Sequence, residues 1–208
     1  MSNDIQQQTT VNIQEKANLI WAIADKLVGV YKPHEYGNVI LPMCVIKRFE
    51  DTLTPTKQQV LDTNAKLDKD GIVVKKGFLE AAAGQQFYNL SPFTFQNLLN
   101  DPENIKDNFE SYLNHFSENV IDIIHRMDFD REIQKMADNN VLYLVIKEFC
   151  TPKAYLGADQ VTSVDMGYIF EELVRKFSES YDEQAGAHFT ARDIIYLMAE
   201  LLVGDNEE

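Results

Sequence analysis

The chain is short of residues and charges that several functions require. It has two cysteines among 208 residues, Cys44 and Cys150. Both lie in apolar runs, so they read as reduced core residues of a cytosolic protein and not as a disulfide framework. No apolar run approaches the ~20 residues that span a bilayer, so no membrane contact is expected. The opening MSNDIQQQTT has neither a basic nor an apolar stretch, unlike a secretory leader. A cytoplasmic protein is expected. Basic charge is scarce: 19 Lys and Arg stand against 33 Asp and Glu, for a net charge of −14. A nucleic-acid binder normally carries a basic face, because neutralising phosphates drives affinity. Weak or no DNA binding by this chain alone is therefore expected. The four histidines (His34, His115, His125, His188) are scattered, and no Ser-His-Asp, Cys-His or Walker-type arrangement occurs. No internal repeat or low-complexity tract is present.

What is present is a globular composition, 45% apolar and 25% charged, with helical periodicity along most of its length. A chain of this size buries roughly 70% of its unfolded surface, enough for a real core. Residues 1–11 are polar and expected to be a disordered tail. Asn12 caps a first helix, 13 to about 29, whose apolar face is Ile13, Ala17, Ile20, Trp21, Ala24, Leu27 and Val28, with Trp21 a core anchor. The apolar run Val39 to Ile46 implies burial on most sides, with Pro42 kinking or splitting its helix. Thr54-Pro55 reads as a cap and first-turn proline for a helix ending near Lys66. Ile72 to Val74 and a stretch near Phe87 could form one short β-hairpin, within residues 72–88, in an otherwise mainly α, multi-helix fold. Ser91-Pro92 and Asp101-Pro102 repeat the cap device. A stripe of Ile105, Phe109, Tyr112, Leu113, Phe116, Val120, Ile123 and Ile124 then implies one long helix. His125, Asp128, Asp130 and Glu132 have metal-like spacing. They lack the ligand ladder and central glycine of an EF-hand, and an aspartate cap explains them equally well, so no metal is assigned. Val141 to Phe149 reads as a buried helix stopped by Thr151-Pro152.

Val164 to Val203 carries two amphipathic helices around a loop, Asp182 to Thr190. Met166, Ile169, Phe170, Leu173, Val174 and Phe177 line the first; Ile194, Leu197, Met198 and Leu201 line the second. Thr190 and Asp193 suit a capping box. Glu171, Glu172, Arg175 and Lys176 lie off the stripe and are expected in solvent.

These letters also resemble a known family. Gly167 to Phe177 is similar to the GYxFE(E/Y)L(I/L)xKF helix of type I restriction-modification M subunits. Gly186 to Arg192 resembles the loop that follows it, with Ala191 where the family usually has proline. Leu19-Ile20-Trp21 with Ala24 to Leu27, Glu35 to Asp51, and Phe116 to Val120 resemble three further family segments. The resemblance implies an N-terminal helical domain (12–160), then a helical connector (161–208) leading into a Rossmann-like domain that is absent or truncated. The parent protein would transfer methyl from S-adenosylmethionine to adenine N6 in DNA, beside a specificity subunit and a restriction subunit. His188, Phe189 and Thr190 would lie at the cofactor, and Lys47 and Arg48 are the candidate DNA contacts. Lys75 and Lys76 form a second basic pair; the plainer reading of both pairs is a solvated helix face and a turn. The glycine-rich loop and the (N/D)-P-P-(Y/F) motif that such catalysis needs are not found, so the chain alone is expected to be inactive, with no catalytic residue and no bound cofactor. A stand-alone acidic interaction module remains the alternative. Exposed apolar residues after Val164 would also favour self-association.

Overall fold

The computed structural model describes residues 13–180, and the statements that follow concern those residues. They are helical, without a strand. The helices are α1 (13–22), α2 (Ala24–Leu27), α3 (Tyr36–Leu53), α4 (Lys57–Lys69), α5 (Lys76–Ala83), α6 (Phe95–Leu98), α7 (Ile105–Asn114), α8 (Glu118–Arg126), α9 (Phe129–Asp138), α10 (Leu142–Phe149) and α11 (Ser163–Ser180). The expected cap Asn12, the loop 182–190 and the second amphipathic helix beyond it lie outside the described residues.

α3 is the centre of the assembly. It packs against α2, α9 and α11, and Val39, Ile40, Met43, Cys44 and Ile46 are fully buried. Pro42 neither splits nor interrupts it. A proline here removes one backbone hydrogen bond and costs about 3 kcal/mol in an isolated helix. Burial on several sides of α3 outweighs that cost, a case of tertiary packing overriding local propensity.

Several expected elements differ in detail. The first helix breaks at Ile23 and resumes for one turn, and Gly29 (φ 85°) then turns the chain toward α3. Trp21 is partly buried, its ring 5.3 Å from that of Phe177. Thr54 does not cap α4; it closes α3, its hydroxyl donating to the Glu50 carbonyl at 2.9 Å. The hairpin over 72–88 does not form. Ile72 to Lys75 is irregular, and residues 88–90 meet 115–117 instead: the Leu90 amide donates to the His115 carbonyl and the Ser117 amide to the Tyr88 carbonyl, both at 2.9 Å. That meeting divides the expected long helix into α7 and α8. α6 is capped not by Ser91 but by Thr94, in a reciprocal box with Asn97. Asp128 adopts φ 51° where α8 turns into α9. α10 is buried through Leu142, Val145, Ile146 and Phe149, while Leu144 is exposed. Thr162 and Asp165 cap α11. The expected stripe of α11 holds at Met166, Ile169, Leu173 and Phe177, whereas Val174 is exposed. Glu171, Glu172, Arg175 and Lys176 are half-buried and not simply solvated. Glu172 accepts from Arg175 at 2.8 Å, and Lys176 stands over the Trp21 ring.

Candidate functional site

The C-terminal half of α3 reads Lys47-Arg48-Phe49-Glu50-Asp51, and it places four ionisable side chains where the first half of the helix places apolar ones. Lys47, Glu50 and Asp51 are buried. Ionised groups stay inside a fold only when they are paired and hydrogen-bonded, and each has its partners. Lys47 Nζ lies 2.6 Å from Asp51 Oδ1 and over the Phe95 ring. Asp51 Oδ2 accepts from the Leu156 amide at 2.8 Å. Burial raises the Asp51 carboxyl above its ordinary value, and Lys47 opposes that rise. Glu50 accepts from the Tyr112 hydroxyl at 2.5 Å and from the Phe95 amide at 3.0 Å. Tyr112 is fully buried, and burial with Glu50 beside it pushes its phenol well above the usual range.

Two further groups extend the network. Asn89, which is 2% exposed, takes Lys57 Nζ (2.9 Å) and the Ser91 amide (2.7 Å) on its oxygen, and donates to the Tyr112 carbonyl (3.0 Å). Burial lowers Lys57 to about 8. Around these polar atoms stand the rings of Phe95, Phe109, Tyr112 and Phe116, with neighbouring centroids 5.3–6.2 Å apart, a separation at which edge-to-face pairs add to burial.

The connector between α10 and α11 is fastened by the same helix. Arg48 donates to the Val161 carbonyl at 2.5 Å and to the Leu156 carbonyl. Lys16 donates to the Tyr155 carbonyl at 2.7 Å. Ala154, Leu156 and Val161 are buried. Irregular backbone can be buried only if its amides and carbonyls find partners. Arg48 and Asp51 of α3 and Lys16 of α1 supply them, so these two helices fix the path by which the chain leaves α10.

Of the candidate DNA contacts, Lys47 is buried against Asp51, and Arg48 is half-buried with Nη1 on two connector carbonyls. Of the other basic pair, Lys75 is held by Asp68 and by Asn64, and Lys76 lies 3.9 Å from Glu80. His188, Phe189 and Thr190 lie outside the described residues. Among the described residues no group of His, Cys, Asp and Glu could hold a metal; His125 and Asp130 meet at 3.7 Å, without the others. Cys44 is buried and Cys150 half-buried; burial raises both thiols, Cys150 to about 11, which makes them unreactive core residues. Glu50 and Asn89 were not singled out from sequence. Neither gave a local signal: Glu50 sits among Lys47, Arg48 and Asp51, a charged stretch that reads as a solvated helix end.

The profile of the HsdM N-terminal domain matches residues 16–149. The chain belongs to that family. It is the N-terminal region of a type I restriction-modification M subunit. A comparison with curated proteins finds no match. The matched stretch closes with α10, so the connector held by Arg48 and Asp51 is the first segment beyond it. No helix among the described residues is long and apolar enough to cross a membrane.

Proposed function

We propose that this domain helps a site-specific DNA adenine-N6 methyltransferase close on DNA and assemble with its specificity and restriction subunits. The observation that carries the reading is the family match over 16–149. A rigid helical body whose buried polar network fixes the outgoing chain suits a domain that must hold a following domain in a defined direction. S-adenosylmethionine would serve the full-length protein, with His188, Phe189 and Thr190 beside it. In this picture Arg48 holds the connector directly and Lys47 does so through Asp51.

The acidic charge and the inward commitment of these cations support a second reading, a protein-interaction module without catalysis. Binding of a fluorescent duplex separates the two. The first reading expects little binding by the chain alone, and salt-dependent binding once the specificity subunit is added. Binding to protein subunits with no gain in DNA affinity would sink the first reading and leave the second.

A further inference from the structure

α4 and α5 form an arm whose helices pack chiefly against each other and meet the core through Val60, Leu67, Leu79, Ala82 and Ala83. Of thirteen residues in α4, Val60 and Leu67 are buried. At its tip Gly71 (φ 67°) turns the chain, and Ile72 to Lys75 crosses to α5 without regular structure. Here Val73 is 90% exposed, Val74 80% and Phe78 55%. Solvent gains nothing from three apolar side chains together at a tip; such patches mark contacts with other molecules. An open groove of about 600 Å³ runs beside them, lined by Gln59 and Thr63 of α4 and by Val74, Gly77, Phe78 and Ala81. Nothing lies within 4 Å of where a Gly77 side chain would begin. The missing side chain keeps the groove open, and glycine is a poor helix former otherwise.

Charge restricts the occupant. Lys66, Lys69, Lys75 and Lys76 stand against Asp68, Asp70 and Glu80 within this tip, a small positive excess in a chain whose net charge is −14. An acidic surface is repelled by most of the molecule and attracted here. The apolar groove favours a polypeptide over a nucleic acid, since it offers side chains a place to be desolvated, and two of the lysines already face carboxylates.

We propose that the α4–α5 tip is a docking site for a partner protein segment that presents an apolar face, helical or extended, flanked by acidic side chains. The inference rests on the reading of the chain as one subunit of a larger assembly. The partner's apolar side chains enter the groove beside Val74 and Phe78, and its carboxylates meet the lysines at the rim.

The test measures binding of the purified specificity subunit to this chain and to three variants. Val74→Asp/Phe78→Asp places charges on exposed positions, and Gly77→Glu fills the groove from a site with free space. Both are expected to weaken binding about tenfold or more, as loss of a buried anchor does, with the melting temperature unchanged or, for Gly77→Glu, raised. Lys69→Glu/Lys76→Glu is expected to weaken it less, with a loss that shrinks at high salt. Wild-type affinity in the first two variants overturns the proposal. So does unchanged subunit binding with reduced duplex binding, which would make the occupant DNA, or wild-type dimerisation abolished by Val74→Asp, which would make it a second copy. No complex with the wild-type chain would overturn the assembly reading, and this inference with it.

Discussion

Two dibasic pairs, Lys47-Arg48 and Lys75-Lys76, look alike as letters and have opposite fates. Lys47 is 8% exposed and shares a buried ion pair with Asp51, while Arg48 binds carbonyls of the connector. Lys75 and Lys76 lie on the arm, near carboxylates that are themselves partly or largely exposed. Context decides between them. The first pair follows eight residues of nearly unbroken apolar sequence in a helix packed on several sides; the second follows an exposed turn. A cation carried into the interior becomes part of the architecture, because an unpaired charge there is far costlier than an unpaired charge in water.

Cutting the interior pair should therefore have the largest effect. Lys47→Ala strands Asp51 and is expected to lower unfolding stability by about 3 kcal/mol, the scale for orphaning a buried charge. Burial already raises the Asp51 carboxyl, and losing Lys47 raises it further. The fold then holds a proton that the unfolded chain has released, so the variant should lose more stability as pH rises from 4 toward neutrality. Denaturant titrations at several pH values would show this; a variant within about 0.5 kcal/mol of wild type, the usual range for surface changes, would erase the contrast between the pairs. Tyr112→Phe removes one donor from Glu50 and should cost about 1–3 kcal/mol, the usual penalty for a buried acceptor left short.

Lys57 sharpens the comparison because it lies between the extremes. Its ordinary value of 10.5 falls to about 8 in the fold through burial. Between those values the unfolded chain binds more protons, so Lys57 makes stability rise with pH across that window. Tyr155, raised to about 12 by burial and by its hydrogen bond to Asp159, acts in the opposite direction above pH 10. Lys57→Met should flatten the rise between pH 8 and 10; an unchanged slope would show that the ammonium is well solvated. The smallest effect belongs to the arm: Lys76→Ala should shift stability by no more than about 0.5 kcal/mol, as exposed pairs do.

The helical class was legible in the sequence because apolar spacing survives in α1, α7 and α11, where one face meets the core. The resemblance in Leu19 to Leu27, Glu35 to Asp51 and Phe116 to Val120 also located the family, whose match covers all three. What was not legible depends on distant partners. Ile72, Val73 and Val74 carry strand propensity with nothing beside them to pair with, and residues 88–90 find 115–117 across the molecule. Pro42 signals a break that packing overrides. The inward turn of Arg48 depends on Leu156 and Val161, more than a hundred residues later, a distance that no local pattern encodes. The expected cofactor residues, His188 to Thr190, lie outside the described residues, so the sequence remains their basis.

Amide hydrogen exchange at Leu156 tests most directly whether α3 holds the outgoing chain. This amide sits in an irregular connector, where exchange is ordinarily fast, yet it donates to Asp51 and is fully buried. Protection close to that of the α3 core, lost in Asp51→Ala while the amides of Ile40 and Met43 stay protected, is the expected result. Exchange at an open-loop rate in the wild-type chain would mean that the connector is not fastened, and that Lys47, Arg48 and Asp51 serve another purpose.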